Sequence, residues 1–210
     1  DLVWYKHPLT LFHDQNSNLY EKDIIFQDDG SRTDRFAPSS ANSGFYYVRH
    51  NARTRYLFTN LLYTSGMILY GGSHQEVLIA LMNEHSSKFG LRIKILSGEE
   101  FPCGKHYHRK RELMKNIVNG SHIPYLLHMS WTKNKDNKIK FFQQMGLWYV
   151  SDQCTSESQL ESLGPMRENE ASDTCCMAEP VPTCHYKDKP SIIPCKDSPP
   201  IDEGRPSFWK

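Results

Sequence analysis

The 210 residues carry 25 Lys and Arg against 24 Asp and Glu, a formal charge of +1, so no global field draws the chain to nucleic acid or to an anionic membrane. The length suits one domain with a sizeable core plus an appendage, at roughly 100–200 residues per domain, and no apolar run approaches the ~18–20 residues of a membrane span. Only Cys103 of the six cysteines precedes residue 150; the other five crowd a Pro-, Ser- and Asp-rich C-terminal stretch, the composition of a tail stapled by disulfides in an oxidising compartment.

Taken in chain order, the first 150 residues alternate short apolar runs with helical patterns, which predicts an α/β domain over 1–150. Strands are expected at Leu2–Tyr5, Asp23–Gln27, Phe45–Arg49, Arg92–Leu96 and Tyr125–Met129. Asp1 heads the first of these. It is either an ordinary exposed aspartate or a strand-end carboxylate able to join a divalent cation and a diphosphate, as hard cations prefer oxygen.

Asp28 and Asp29 follow the second strand in "FQDDG", either as a turn or as groups that orient or deprotonate an acceptor hydroxyl. Asn42 and Gly44 precede the third strand and read as a structural turn. A helix is expected over "NARTRYLFTNLLYTSG". The clearest is "SHQEVLIALMNEHSSKFG", where Val77, Leu78, Leu81 and Met82 recur at helical spacing between a Ser73 cap and Gly90.

"FPCG" reads as a turn with Cys103 buried or bridged. The "HYH" at His106 and His108 resembles a metal pair on one strand face, but no third ligand stands at readable spacing, so it reads as core or pocket wall. Asn119 opens "NGS", an N-glycosylation acceptor pattern. His128 ends the last strand and is followed by Trp131 and by Lys133, Lys135, Lys138 and Lys140 on a turn and a third helix. That cluster is either a core histidine beside a solvated lysine face, or an imidazole on a cation with ammonium groups on phosphate oxygens.

After Val150 the periodicity stops. Residues 151–210 read as a Cys/Pro-rich, disulfide-stapled tail that straps onto the domain. Zinc is the competing use of its thiolates, but no Cys-x-x-Cys pair is present.

"DLVWYKHPLTLF", "APSSANSGFYYVRHNARTRYLF", "GSHQEVLIALMNEH", "EEFPCGKHYH" and "HMSWTKNKDNKIKFFQQMGLWYV" occur in this order. Together they resemble the nucleotide-diphospho-sugar transferase family that contains plant arabinosyl- and xylosyltransferases, most closely its algal members. The resemblance covers about residues 1–150. It implies the C-terminal part of a GT-A (Rossmann-like) fold, a nucleotide-diphosphate sugar as donor, Mn²⁺ or Mg²⁺, a glycan or glycoprotein acceptor, and retaining glycosyl transfer in the Golgi lumen, with any membrane contact through an anchor upstream.

By position, the resemblance makes Asp1 the last aspartate of a DxD motif whose other members precede residue 1. It makes His128 the second metal ligand and assigns Lys138 and then Lys135 to the diphosphate. It places Asn42 and Gly44 at the sugar, where the small Gly lets backbone approach a ligand and the Asn amide binds a hydroxyl, and makes Gln75, at the start of the long helix, a catalytic candidate. Related enzymes often carry Asp-Gln where this chain has His74-Gln75, which removes a carboxylate able to serve as nucleophile. Front-face transfer, with the diphosphate helping to deprotonate the acceptor, is therefore the expected route. Two other readings stand beside it: a transferase-like lectin or scaffold without catalysis, and a hydrolase using Asp28 and Asp29.

Overall fold

The computed structural model describes residues 1–132, 135–155, 161, 164–165, 174–180, 182–186 and 189–191. The chain divides into two compact units, Asp1–Trp131 and Thr132–Lys210.

The first unit has mixed α/β organisation, as expected. Its strands are β1 (Leu2–Trp4), β2 (Ile24–Asp28), β3 (Ala41–Val48), β4 (Ile93–Ile95) and β5 (Leu126–His128); its helices are α1 (Leu9–Phe12), α2 (Ala52–Tyr63), α3 (Ser65–Gly71), α4 (His74–Phe89), α5 (Gly104–Arg109) and α6 (Arg111–Val118). β2 is the centre of a three-stranded sheet, antiparallel to β3 and parallel to β4, while β1 and β5 form an antiparallel pair.

β2 reads "IIFQD" because both faces are covered. Alternation sends Ile24 and Phe26 into one cluster with Leu57, Leu78, Ile79 and Met82 from α2 and α4. Ile25 enters a second cluster with Phe12, Phe45, Phe101 and Leu126. Each fully buried side chain of this size contributes about 1.5–3 kcal/mol, so β2 is the element least able to shift, and its C-terminal end is a rigid platform.

The caps fall where the sequence places them. Ser73 Oγ accepts from Gln75 N and Gly90 ends α4 at φ 65°, the left-handed conformation that favours glycine. Asn51 caps α2 in a reciprocal box with Thr54. The expected second helix continues beyond Gly66 as α3, which leaves Leu69 and Tyr70 exposed.

One element differs in kind. His106 and His108 lie on α5, not on a strand: Gly104 opens the helix where a Cβ would stand 1.6 Å from Ser130 O, and Cys103 N donates to His106 Nδ1 at 3.1 Å across the first turn. Positions two apart on a helix do not share a face. His108 and Tyr107 are buried and Cys103 is a buried free thiol, so the bridged alternative for Cys103 falls.

In the second unit, α7 (Lys135–Gln144) buries Phe141, and Met145 follows it into the interior before Gly146 turns at φ 67°. The expectation of an irregular tail is modified by a hairpin of β6 (Cys184–Tyr186) and β7 (Lys189–Ser191). Cys154 pairs with Cys175 and Cys184 is also disulfide-bonded, while Cys176 is free and exposed. Cys195, Lys133 and the "DSPPIDEGRPSFW" segment lie outside the described residues. Among the described residues no helix is long and apolar enough to cross a membrane.

Candidate functional site

Four chain segments meet at the C-terminal end of β2. The β2–β3 register runs Phe26 opposite Tyr46, then Gln27 opposite Asn42, so Ser43, Gly44 and Phe45 have no counterpart. This bulge re-aims the backbone. Asn42 and Gly44, expected in a turn ahead of the strand, therefore sit within it. The N-terminus of α4 supplies His74 and Gln75, and β5 ends on His128.

Asp29, the residue after β2, is the buried centre. Its Oδ1 accepts from Asn42 Nδ2 at 2.8 Å and from Gln75 Nε2 at 3.2 Å. Backbone donors fix both amides: Gly44 N donates to Asn42 Oδ1 at 2.7 Å, and Ser43 N donates to Gln75 Oε1 at 3.0 Å. A backbone N–H cannot accept, so each amide must turn its NH₂ to the carboxylate. Ser43 Oγ donates to Gln75 Oε1 at 3.0 Å and meets His74 Nε2 at 2.9 Å, so His74 acts on the site through Ser43. Both amides converge on Oδ1, and neither uses Oδ2. The carbonyl of Asp29 is held separately, by Trp131 Nε1 at 2.8 Å and Cys103 Sγ at 3.4 Å. Trp131 makes its bond from a left-handed backbone at φ 59°, costing about 1–3 kcal/mol in a bulky residue.

Asp28 has a different environment. It accepts from Arg32 Nη2 at 2.6 Å and from Gly30 N at 2.8 Å. Burial works to raise its pKa, but the Arg32 side-chain bond and the Gly30 N–H prevail and hold it below the ordinary carboxylate value. It lines a separate pocket of about 360 Å³ with Ser31, Arg32 and Ser40. The turn reading suits Asp28; Asp29 is built into the hydrogen-bonded cluster with Asn42 and Gln75.

His128 is buried, and a similar chain of reasoning settles its neutral tautomer. Gln27, fully buried, donates from Nε2 to the carbonyls of Phe101 and Pro102 at 2.9 and 3.0 Å, so its Oε1 faces His128 Nδ1 at 2.8 Å. An amide oxygen only accepts, so Nδ1 carries the proton and Nε2 is the acceptor nitrogen. This is the arrangement of a metal-ligating or basic imidazole held by an outer partner. The room beside Gly44 is taken by this ring: a Cβ there would stand 2.4 Å from Cε1 and 2.9 Å from Nε2.

Asp1 is exposed and adjoins His128 through the strand pair, with Leu2 opposite His128 and Met129 N donating to Asp1 O at 2.9 Å. Among the described residues no three His, Cys, Asp or Glu side chains gather as a cation site. The Asp1 carboxylate suits Mn²⁺ or Mg²⁺ in donor type, and the His128 imidazole suits Mn²⁺ rather than Mg²⁺. Lys135 and Lys138 lie on α7 of the second unit; Lys135 is exposed, and burial draws Lys138 below the ordinary lysine value. Sequence reasoning missed Gln27, Ser43 and the Cys103 and Trp131 clasp on Asp29. A glutamine directly after the apolar run Ile24–Phe26 was the available signal for Gln27.

Carboxylate, amide and imidazole groups thus gather at the strand ends of an α/β unit, groups whose donors and acceptors are of the kind that orient hydroxyls. Residues 1–142 match the family described as nucleotide-diphospho-sugar transferase, and the chain belongs to it. It is also similar to UDP-galactose:fucoside alpha-3-galactosyltransferase of Dictyostelium discoideum, at 23% identity over 172 residues. That match covers 72% of this chain and 24% of the relative, so the chain spans about a quarter of the relative's length. No solved structure matches the chain.

Proposed function

We propose that this chain belongs to a glycosyltransferase that moves a sugar from a nucleoside-diphosphate sugar to a hydroxyl of a glycan or glycoprotein in the Golgi lumen, with retention and with Mn²⁺ or Mg²⁺. The observation that carries the reading is the Asp29 carboxylate, locked through Oδ1 by Asn42 and Gln75 at the end of β2. Asp29 Oδ2 is the acceptor offered to a sugar hydroxyl, and its charge suits the positive character that the ring gains as the sugar–phosphate bond breaks.

Because both amides are oriented by backbone donors, Asp29 does not need to reorganise as charge develops. Asp1 and His128 are the residues to hold the cation, which when bound stabilises negative charge on the departing diphosphate. Lys138 and Lys135 are the family-derived choices for diphosphate oxygens. With His74 in place of a carboxylate, the chain offers no evident nucleophile at that position. The reading is therefore front-face transfer, the acceptor proton passing to the diphosphate.

The test is donor hydrolysis and transfer by the full-length protein across nucleotide sugars with Mn²⁺, UDP-galactose first because the Dictyostelium relative is named for it. Asp29→Asn keeps the shape and removes the charge; turnover should fall by about 10²-fold or more, the scale of losing one preorganised electrostatic contact. Wild-type turnover in that variant would remove Asp29 from the site. Donor binding without hydrolysis of any nucleotide sugar would favour the scaffold reading.

A further inference from the structure

We propose that Asn119 is a modification site that takes an N-linked oligosaccharide on its Nδ2 in an oxidising lumenal compartment, a property independent of the sugar-transfer reading. The segment Asn119-Gly120-Ser121 is the one Asn-x-Ser/Thr pattern in the 210 residues. The pattern alone is cheap; its placement is what carries the inference.

All three residues are exposed, just beyond the last turn of α6. α6 is anchored from below by Met114 and Ile117, both buried, so the acceptor stands on a fixed base. Gly120 adopts φ 76°, and nothing lies within 4 Å of where its Cβ would be, so the surface beside the acceptor is open to a bulky group.

The local hydrogen bonds orient the amide. Asn119 Oδ1 accepts from Ser121 N at 3.0 Å and from Ser121 Oγ at 2.7 Å. The oxygen therefore faces the chain, and Nδ2, which no bond among the described residues uses, faces outward. The hydroxyl that the pattern requires is already on the acceptor side chain.

Compartment is the second condition. The Cys154–Cys175 disulfide and the bonded Cys184 are stable where disulfides form, which is also where N-glycans are added. The co-reactant is a lipid-diphosphate-linked oligosaccharide. A bond forms between Nδ2 and the anomeric carbon, the anomeric C–O bond to the diphosphate breaks, the diphosphate leaves with the electron pair, and one amide proton passes to the base of the transferring enzyme.

The experiment is expression of the full-length protein in a eukaryotic cell, followed by mass analysis before and after a glycan-releasing amidase. Release is run in ¹⁸O-water, because an Asn-Gly sequence also deamidates spontaneously and only enzymatic release then marks the product. The expected result is a heavier wild-type chain that loses one glycan and gains labelled Asp at position 119. Asn119→Gln and Ser121→Ala should each lack the glycan, and Ser121→Thr should keep it. The Ser variants leave the asparagine in place, so a folding defect of Asn119→Gln does not confuse the reading. A wild-type chain with no glycan at Asn119, or a glycan that survives in both Asn119→Gln and Ser121→Ala, would overturn the proposal.

Discussion

Replacing Gly44 by Ala puts one methyl group against the imidazole of His128. The added Cβ would lie 2.4 Å from Cε1, 2.9 Å from Nε2 and 2.9 Å from Asn42 Oδ1, whereas ordinary contact begins at 3.4 Å. The ring must therefore retreat by about 1 Å. It is held by a 2.8 Å bond from Nδ1 to Gln27, whose amide is itself tied to two backbone carbonyls. A retreat of about 1 Å in any direction distorts that 2.8 Å bond in length or angle.

Overpacking of this kind costs about 1–3 kcal/mol, which for a chain of this length lowers Tm by roughly 2–4 °C per kcal/mol. Displacing a positioned group by about 1 Å costs about 10²-fold in rate. The full-length Gly44→Ala protein should therefore lose several degrees in thermal denaturation and about 10²-fold in kcat/KM for donor turnover. Gly66→Ala is the control, since nothing lies within 4 Å of that position; it should leave kcat/KM intact and hold or slightly raise Tm, because Ala favours a helix over Gly by about 0.5–1 kcal/mol. Wild-type Tm and kcat/KM in Gly44→Ala would refute the packing argument. A lowered Tm with intact kcat/KM would show that the position of His128 is not used in the chemistry.

Gln27→Leu should release the tautomer of His128. ¹⁵N NMR of labelled histidine at alkaline pH should show the Nδ1–H form in the wild type and a shift to the Nε2–H form in the variant, with metal affinity lower by about 10–100-fold; an unchanged tautomer sinks the assignment. Asp23→Asn should destabilise the first unit by up to about 3 kcal/mol in urea unfolding at neutral pH, because the carboxylate is fully buried against Arg53 at 2.7 Å and Arg92 at 3.4 Å while these arginines remain 39% and 48% exposed and can rehydrate. Burial works to raise the Asp23 pKa, but the Arg53 and Arg92 bonds win and depress it well below 3.8. Its stabilisation is thus present above that value and lost as pH falls below it, and a wild-type minus variant stability difference that grows towards acid would contradict this.

What the sequence discloses depends on how local the cause is. α4 was legible from end to end because its period, its Ser73 cap and its Gly90 stop are all contained in the helix. β2 was legible as an apolar run, but the role of its last apolar-flanked residue was not, since Gln27 meets partners 74, 75 and 101 positions away. The bulge in β3 misled for a related reason: "ANSG" has turn composition, and only pairing with Gln27 and Asp28 makes it strand. α5 is six residues long, too short for a period to declare itself, and the close approach of Gly104 to Ser130 that defines its start is a tertiary fact. Gly44 was singled out for the space it leaves, and the occupant of that space is a side chain 84 positions on.

The two adjacent aspartates also bear on the hydrolase reading. A glycoside hydrolase needs two carboxyl groups facing each other across the scissile bond, roughly 5–10 Å apart. Asp28 and Asp29 are consecutive at the end of a strand, where successive side chains point to opposite faces. The hydrogen bonds agree with that geometry: Asp28 is spent on Arg32 and Gly30, and Asp29 on Asn42 and Gln75. An acid–base pair would further require one of the two to stay protonated, yet Asp28 is pushed the other way. One carboxylate therefore belongs to the loop and the other to the amide cluster at the end of β2. Asp28 and Asp29 do not form the facing carboxyl pair that splitting a glycoside with water requires.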